Sequence, residues 1–386
     1  MNPLADLKVD LNSRKLENLY RVRRTLHSSQ GVEVNCNGDS LLSFCSNDYL
    51  GLASDPRLIK ASQKGVSKYG VGSGAAHLIS GHSLPHHFLE KELADFLEVE
   101  RVLLFSTGYM ANVGILSSLM SRNDVILQDK LNHASLIDGG LQSSAKLKRY
   151  DHLNTKLLEE MLQKSQHKSL IASDGVFSMD GEKAPMKELT DLAQKYDSAL
   201  LIDDAHGFGV LGEMGKGSVS DSGLPMKKVP IYIATLGKAL GTMGAFVAGS
   251  EEVIETLIQK ARSYIYTTAM PPSLAETTRM SLKIMSSEQW RRDNLYELTI
   301  RFREGAKAIG LNLSDSETPI QPLILGDSEK ALQWSNKLYD EGILINAIRP
   351  PTVPNGSARL RITISAIHKP KHIDFLLAEL QKLLET

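Results

Sequence analysis

The segment Leu200-Leu-Ile-Asp-Asp-Ala-His-Gly207 carries two carboxylates and a histidine directly after an apolar run. A short apolar run reads as a buried strand, and in open α/β sheets ligands bind outside the carboxyl ends of the strands. Charge at such a place needs a partner, because burying it alone is costly. A carboxylate here can hold a protonated ring nitrogen. One aspartate would read as a helix cap or half a salt bridge, but Asp-Asp-x-His at a strand end favours function. The period of two puts Asp203 and Asp204 on opposite faces and does not choose between them.

Three further segments complement this one. In Ile231-Tyr-Ile-Ala-Thr-Leu-Gly-Lys-Ala-Leu-Gly241, Lys238 follows an apolar run among small residues. Partial desolvation of a lysine lowers its pKa and leaves an amine able to form a Schiff base; alone, the segment would read as a surface loop. In Leu103-Leu-Phe-Ser-Thr-Gly-Tyr-Met110 a strand turns into a helix whose free N–H groups, at Gly108 and Tyr109, suit a phosphate or merely carry an ordinary cap. In Gln128-Asp-Lys-Leu-Asn-His-Ala-Ser135, His133 sits in a loop after a strand, where its ring is either exposed and idle or stacked on a planar cofactor. A lysine for a Schiff base, a carboxylate for a pyridinium nitrogen, a ring to stack and a helix N-terminus for phosphate together describe a pyridoxal 5'-phosphate (PLP) site.

Competing patterns are weaker. Gly70-Val-Gly-Ser-Gly-Ala and Gly207-Phe-Gly-Val-Leu-Gly match the loose dinucleotide fingerprint. The first lacks a strong preceding strand and the second runs into Glu-Met-Gly-Lys-Gly-Ser, which starts no well-packed helix. His82, His86, His87 and Glu90 have metal-like spacing, but Pro85 puts them in a first helical turn, where capping or exposure is expected and no metal is assigned.

These residues require elements to position them. From about residue 90, helical patterns (His86–Leu97, Ala111–Met120) alternate with apolar runs at Val102–Phe105, Val125–Leu127, Leu170–Ala172, Ala199–Ile202 and Ile231–Ala234. That alternation predicts parallel strands in a three-layer α/β domain. Before it, Asp6–Leu26 keeps a roughly helical apolar period with a charged opposite face. After about Ser287 come a long helix (Trp290–Ile309), Gln321–Leu325, a helix, strand-like Leu344–Ile348 and Arg359–Ile364, and a last helix, which read as a smaller α+β domain. The expected division is an N-terminal helix and strand segment (1–45), a major domain (46–287) and a C-terminal domain (288–386).

Bulk properties exclude other classes. A formal net charge of −1 offers no excess to neutralise nucleic-acid phosphates. Two cysteines make no disulfide framework. No h-region opens the chain and no apolar run approaches eighteen residues, so a cytoplasmic protein with no membrane span is expected.

The order of motifs resembles the α-oxoamine synthases among the fold-type I PLP enzymes. The resemblance runs from about Leu16 to the C-terminus and rests on Cys45-Ser-Asn-Asp-Tyr-Leu-Gly-Leu, Gly72-Ser-Gly, Asn132-His-Ala-Ser, Gly175-Val-Phe-Ser-Met-Asp-Gly, Asp203-Asp-Ala-His-Gly, Thr235-Leu-Gly-Lys and Tyr266-Thr-Thr-Ala-Met-Pro-Pro. It implies that Lys238 carries the cofactor, Asp203 pairs with the pyridine nitrogen, His206 reaches the ring hydroxyl and His133 stacks on the ring. It also implies that Gly108 and Tyr109 cup the phosphate with Ser178 and Thr235 nearby, and that Thr267 or Thr268 helps from the partner subunit of a homodimer. Arg361 is expected to grip the amino-acid carboxylate, with Arg21, Asn47 and Arg349 on the substrate side. The segment Ala347-Ile-Arg-Pro-Pro-Thr-Val-Pro points to the subgroup that condenses L-alanine with pimeloyl-CoA or pimeloyl-acyl carrier protein in biotin biosynthesis, against siblings that use glycine or serine. Two departures from the family pattern, Ala75-Ala-His77 after Gly-Ser-Gly and His152-Leu-Asn after a strand, bear on the acyl substrate rather than on Lys238.

Overall fold

The computed structural model describes residues 4–385. They contain thirteen strands in chain order. The first two are β1 (Glu33–Cys36) and β2 (Asp39–Ser43). Seven follow in the middle of the chain: β3 (Arg101–Phe105), β4 (Val125–Asp129), β5 (Lys146–Tyr150), β6 (Ser169–Asp174), β7 (Ala199–Asp203), β8 (Ile231–Thr235) and β9 (Ala245–Gly249). The last four are β10 (Ile320–Gly326), β11 (Ile343–Leu344), β12 (Asn346–Ile348) and β13 (Ala358–Thr363). Two compact units result: one comprises 48–178 and 182–293, the other the described residues up to Asn47, Met179–Gly181 and the segment from Asn294 onward.

The first unit holds a seven-stranded sheet in the order β3-β9-β8-β7-β6-β4-β5. All five apolar runs that read as strands are strands. β4 to β8 are mutually parallel, while β9 runs antiparallel to both neighbours, β3 and β8. β3 and β8 therefore point the same way, and the C-terminal ends of β3, β4, β6, β7 and β8 share one edge. The fully buried strands carry Leu103, Ile126, Leu170, Leu201, Ile233 and Val247 into a core completed by Ala111, Ile115 and Leu136 from flanking helices. Two strands lacked a sequence signal. β5 is Lys-Leu-Lys-Arg-Tyr, a charged strand at the edge of the sheet, and charge on an edge strand blocks pairing with other chains. β9 is short and small-residue-rich.

In the second unit, β1 and β2 form a hairpin to which β11 adds in parallel, and β10, β13 and β12 form a second, antiparallel sheet. The strand expected at Leu344–Ile348 is split between these two sheets. The expected helix Asp6–Leu26 is shortened to Leu7–Leu16. Asn18 takes φ 57° just beyond it, and none of the helix's residues is buried, so its apolar period has no core to pack on. Among the described residues no helix is long and apolar enough to cross a membrane.

Candidate active site

The edge shared by β3, β4, β6, β7 and β8 bears a cavity of about 180 Å³. Gly108, Tyr109, His133, Ser178, Asp203, His206, Thr235 and Lys238, all singled out from the sequence, line it. Thr267 and Thr268, expected to act from a partner subunit, are not in the lining of this chain's own cavity. The Thr268 backbone bridges to Ala76.

Asp203 closes β7 and is 7% exposed. One carboxylate oxygen accepts from the Ala205 amide (3.1 Å) and the other from Asn112 Nδ2 (2.6 Å). Asp204 faces away and is fully buried, where its Oδ2 accepts from the Ser218 amide and the Tyr232 hydroxyl, both at 2.7 Å. Burial lifts the Asp204 carboxyl to about 7 against those bonds. A Cβ at Gly207 or Gly217 would lie 2.1 Å from an Asp204 oxygen, so glycine is required at both. Asp204 thus fastens the loop that follows β7, and Asp203 is the carboxylate presented to the cavity.

Lys238 Nζ lies 2.8 Å from His206 Nε2, and His206 Nδ1 lies 2.6 Å from the buried Tyr49 hydroxyl. His133 caps the helix Ala134–Gln142. Donor bookkeeping fixes its tautomer. Asn112 Nδ2, which can only donate, gives its hydrogens to Asp203 and to Ser135 Oγ (2.8 Å). Ser135 Oγ therefore gives its own proton to His133 Nδ1 (2.7 Å), which also accepts from the Ser135 amide (3.3 Å). The neutral ring carries its hydrogen on Nε2. Burial keeps His133 below its ordinary value, although the charge of Asp203 opposes this, so the neutral form prevails at pH 7.

Thr107 caps the helix Gly108–Leu119 by accepting from the Met110 amide (3.2 Å). The amides of Gly108 and Tyr109, at the first two helical positions, have no intrahelical acceptor and suit an anion. The Thr235 hydroxyl donates to the Gly244 carbonyl (3.0 Å). Cation, carboxylate, imidazole and helix N-terminus converge on one cavity, and this donor set fits PLP.

Asn112, Ser135, Asp174 and Tyr49 escaped the sequence reading. Asp174 closes β6, fully buried, and its oxygens accept from the His133 amide (3.1 and 3.3 Å). Burial and the nearby Asp203 hold its carboxyl well above the usual range. The strand-end argument that found Asp203 applies equally to Asp174. Asn112, a single amide within an apolar helix, leaves no such signal.

The second unit holds the remaining expected residues. Arg361, on β13, is buried and donates to Asn47 Oδ1 (3.2 Å) and Thr363 Oγ1 (3.0 Å). Arg349 donates to the Asn18 carbonyl, and Arg21 to Thr352 Oγ1 (3.3 Å). Arg21, Arg23, Arg24 and Arg349 share a separate cleft of about 730 Å³ with Leu19 and Leu344.

His82 and His86 come together with His77. His86 Nε2 donates to the Met270 carbonyl (2.7 Å) and its Nδ1 accepts from the Ser83 amide (3.0 Å). Nδ1 thus caps the helix start, while Nε2 ties it to the distant Met270 carbonyl. Glu90 accepts from the Leu104 amide (3.0 Å).

Residues 39–380 match the family model for class I and II aminotransferases, and the chain belongs to that family. Its relatives narrow the group. The 8-amino-7-oxononanoate synthase of Nitrosococcus oceani is 54% identical over 377 residues, covering 97% of this chain and 100% of that protein. A crystal structure of 8-amino-7-oxononanoate synthase from Francisella tularensis is 34% identical, covers 89% of this chain and 98% of its own, and superposes with a TM-score of 0.78. Serine palmitoyltransferase from S. paucimobilis with a bound PLP–myriocin aldimine is 28% identical, covers 100% and 99%, and gives a TM-score of 0.94. The fold is that of the fold-type I PLP transferases.

Proposed function

We infer that the chain is a PLP-dependent acyltransferase that condenses L-alanine with a pimeloyl thioester, releasing 8-amino-7-oxononanoate, carbon dioxide and free thiol. The observation that carries this reading is the convergence of Lys238, Asp203, His206 and neutral His133 on one cavity at the strand ends. The chemistry PLP supplies when bound is an electron sink for negative charge on the alanine α-carbon.

Lys238 is the amine that would attach the cofactor and is placed to take a proton from the alanine α-carbon. Asp203, which accepts from Asn112 and the Ala205 amide, would face the ring nitrogen and favour a positive charge there. His206 would donate to the ring hydroxyl. The Gly108 and Tyr109 amides would hold the phosphate, with Ser178 and Thr235 beside them. His133 presents Nε2–H, which suits both stacking on the ring and donating to the oxygen of the thioester carbonyl as charge develops there. Arg361, steadied by Asn47, takes the alanine carboxylate. Arg21 and Arg349, in the cleft of about 730 Å³, take the thioester. Two copies assemble so that Thr267 or Thr268 reaches the partner's phosphate site. The protein works in the cytoplasm, which agrees with the free thiols of Cys36 and Cys45.

The test is thiol release by the PLP-loaded protein with pimeloyl-CoA and, separately, pimeloyl-acyl carrier protein, comparing L-alanine with glycine and L-serine. Release dependent on alanine, with 8-amino-7-oxononanoate as product, is expected. Release with glycine or serine on another acyl donor, and none with alanine, would move the chain to a sibling activity.

A further inference from the structure

We propose that His152 is a positioning residue: bonded to Asp129 through one ring nitrogen and to Glu182 through the other, it fastens the strap that presents Val176 and Ser178 to the cavity. The inference rests on the reading above only for the cofactor that the strap would face.

The strap has two limbs, residues 175–178 leaving the end of β6 and residues 182–184 returning beside them. Val176 bridges to Lys183, the Phe177 amide donates to the Glu182 carbonyl (2.9 Å) and the Ala184 amide to the Gly175 carbonyl (3.0 Å). Val176 and Ser178 line the cavity of about 180 Å³. His152 touches both limbs. Its Nε2 lies 2.7 Å from Glu182 Oε2, and its ring packs at 88° to that of Phe177 with centroids 4.4 Å apart. Its Nδ1 lies 2.9 Å from Oδ1 of Asp129, which closes β4, is 1% exposed and also accepts from the Leu131 and Leu153 amides, both at 2.8 Å.

Ionised carboxylates only accept, so two bonds among these three groups need two hydrogens, which the imidazolium supplies. The count is the same if one of them sits on a carboxyl oxygen. Burial pulls His152 down, but the bonds to Asp129 and Glu182 outweigh it and hold the ring above its ordinary value. Removing one hydrogen turns a lone pair toward a carboxylate, and one contact must break. Asp129 is buried away from water, whereas the Glu182 side chain is 31% exposed, so Glu182 lets go and the strap is released. A group raised on folding keeps its contribution at low pH and loses it as pH rises through the folded value, so release comes on the alkaline side. The other titratable groups nearby are Lys130 and Asp151, paired with each other, Lys183, paired with Asp221, and Asp174 and Tyr150, both close enough to feel the charge of Asp129. Glu182→Gln leaves all of them in place. It sets an amide beside Nε2 that donates as well as accepts, so a neutral His152 with its hydrogen on Nδ1 satisfies both contacts and the strap stays fastened.

The experiment measures amide hydrogen exchange of residues 175–178 and 182–184 in cofactor-free protein from pH 5 to 10, corrected for base catalysis, which reads the opening of the strap. In wild type, opening should be level at low pH and rise about tenfold per pH unit above a midpoint, the linkage of one proton. Glu182→Gln should abolish the rise and keep opening at the wild-type low-pH level. A wild-type strap whose corrected exchange is level throughout would overturn the proposal, and so would equal rises in the two proteins. At pH 9.5, PLP-loaded wild type should lose its cofactor several-fold faster than Glu182→Gln. Equal loss from a strap that does open would overturn the positioning role. If PLP binds neither protein, the cofactor reading fails, and the exchange profiles alone decide whether His152 fastens the strap.

Discussion

Replacing Asn112 by alanine tests the network that joins Asp203 to His133. The substitution removes the 2.6 Å bond to Asp203 Oδ2 and the 2.8 Å bond to Ser135 Oγ. A hydrogen bond to a charged group is worth about 1.5–3 kcal/mol net, and each 1.36 kcal/mol is about a tenfold change in rate. Turnover is thus expected to fall between about tenfold and about a hundredfold, because Asp203 loses the donor to its Oδ2 and Ser135 loses the donor that directs its proton to His133. The fold should survive. Alanine is the best helix former, and the change also removes Asn112 Oδ1, a buried oxygen with no partner. Asn112→Asp should be worse than Asn112→Ala, since it places a second carboxylate against Asp203 and like charges at that distance repel. The assay is thiol release with saturating alanine and pimeloyl thioester, with PLP content measured alongside. Turnover within twofold of wild type in a folded, PLP-loaded Asn112→Ala protein would show that Asn112 supports neither Asp203 nor His133.

Three other outcomes are expected. Lys238→Ala should lower turnover by at least about a thousandfold, within the range for a lost proton-transfer group, with the fold intact; borohydride should then fix PLP to wild type and not to the variant, and retained fixation would point to another lysine. Arg361→Ala should raise the KM for alanine by roughly tenfold to a hundredfold from the loss of charged hydrogen bonds, with Arg361→Lys between the two; an unaltered KM would remove Arg361 from the carboxylate site. His368 is buried, stacked on Phe44, accepts from the Ser365 amide and reaches the Ser43 carbonyl, and burial pushes it down to about 4. Since it titrates near 6.5 when unfolded, its stabilisation is full above that pH and is lost as pH falls toward 4. Urea unfolding should show about 2 kcal/mol lost between pH 7 and pH 5 that His368→Gln does not lose, and parallel pH profiles would contradict this.

How much of this was legible depended on how the physics writes itself into sequence. Buried parallel strands are continuous apolar runs, so β3, β4, β6, β7 and β8 stood out, and with them the edge where the chemistry gathers. β5 was hidden because a sheet edge selects for charge, and β9 because small residues after a glycine-rich turn carry little period. The N-terminal helix was read too long because periodicity counts apolar residues without asking what they pack on; Leu7, Leu11 and Leu16 are exposed. At the site, Lys238 and Asp203 were found because charge at a strand end is conspicuous. The choice of Asp203 over Asp204 rested on the family resemblance, since alternation is symmetric between them; in the structure it is Asp203 that lines the cavity. Asn112 acts through hydrogen bonds to segments elsewhere in the chain, and nothing local marks it; Ser135 stands in the Asn132-His-Ala-Ser motif, but its bond to Asn112 is not written there.

The antiparallel insertion of β9 has a consequence for biosynthesis. β3 is held in its sheet only by β9, whose residues are 245–249, although β3 itself ends at Phe105. While the ribosome is still making the intervening stretch, the helix start at Gly108 has no sheet bond to the strand that leads to Lys238. Pairings this distant in sequence form late. A nascent chain halted before Ala245 would contain every residue of the cavity and yet be unable to assemble it, so cofactor capture must wait until about two-thirds of the protein has emerged.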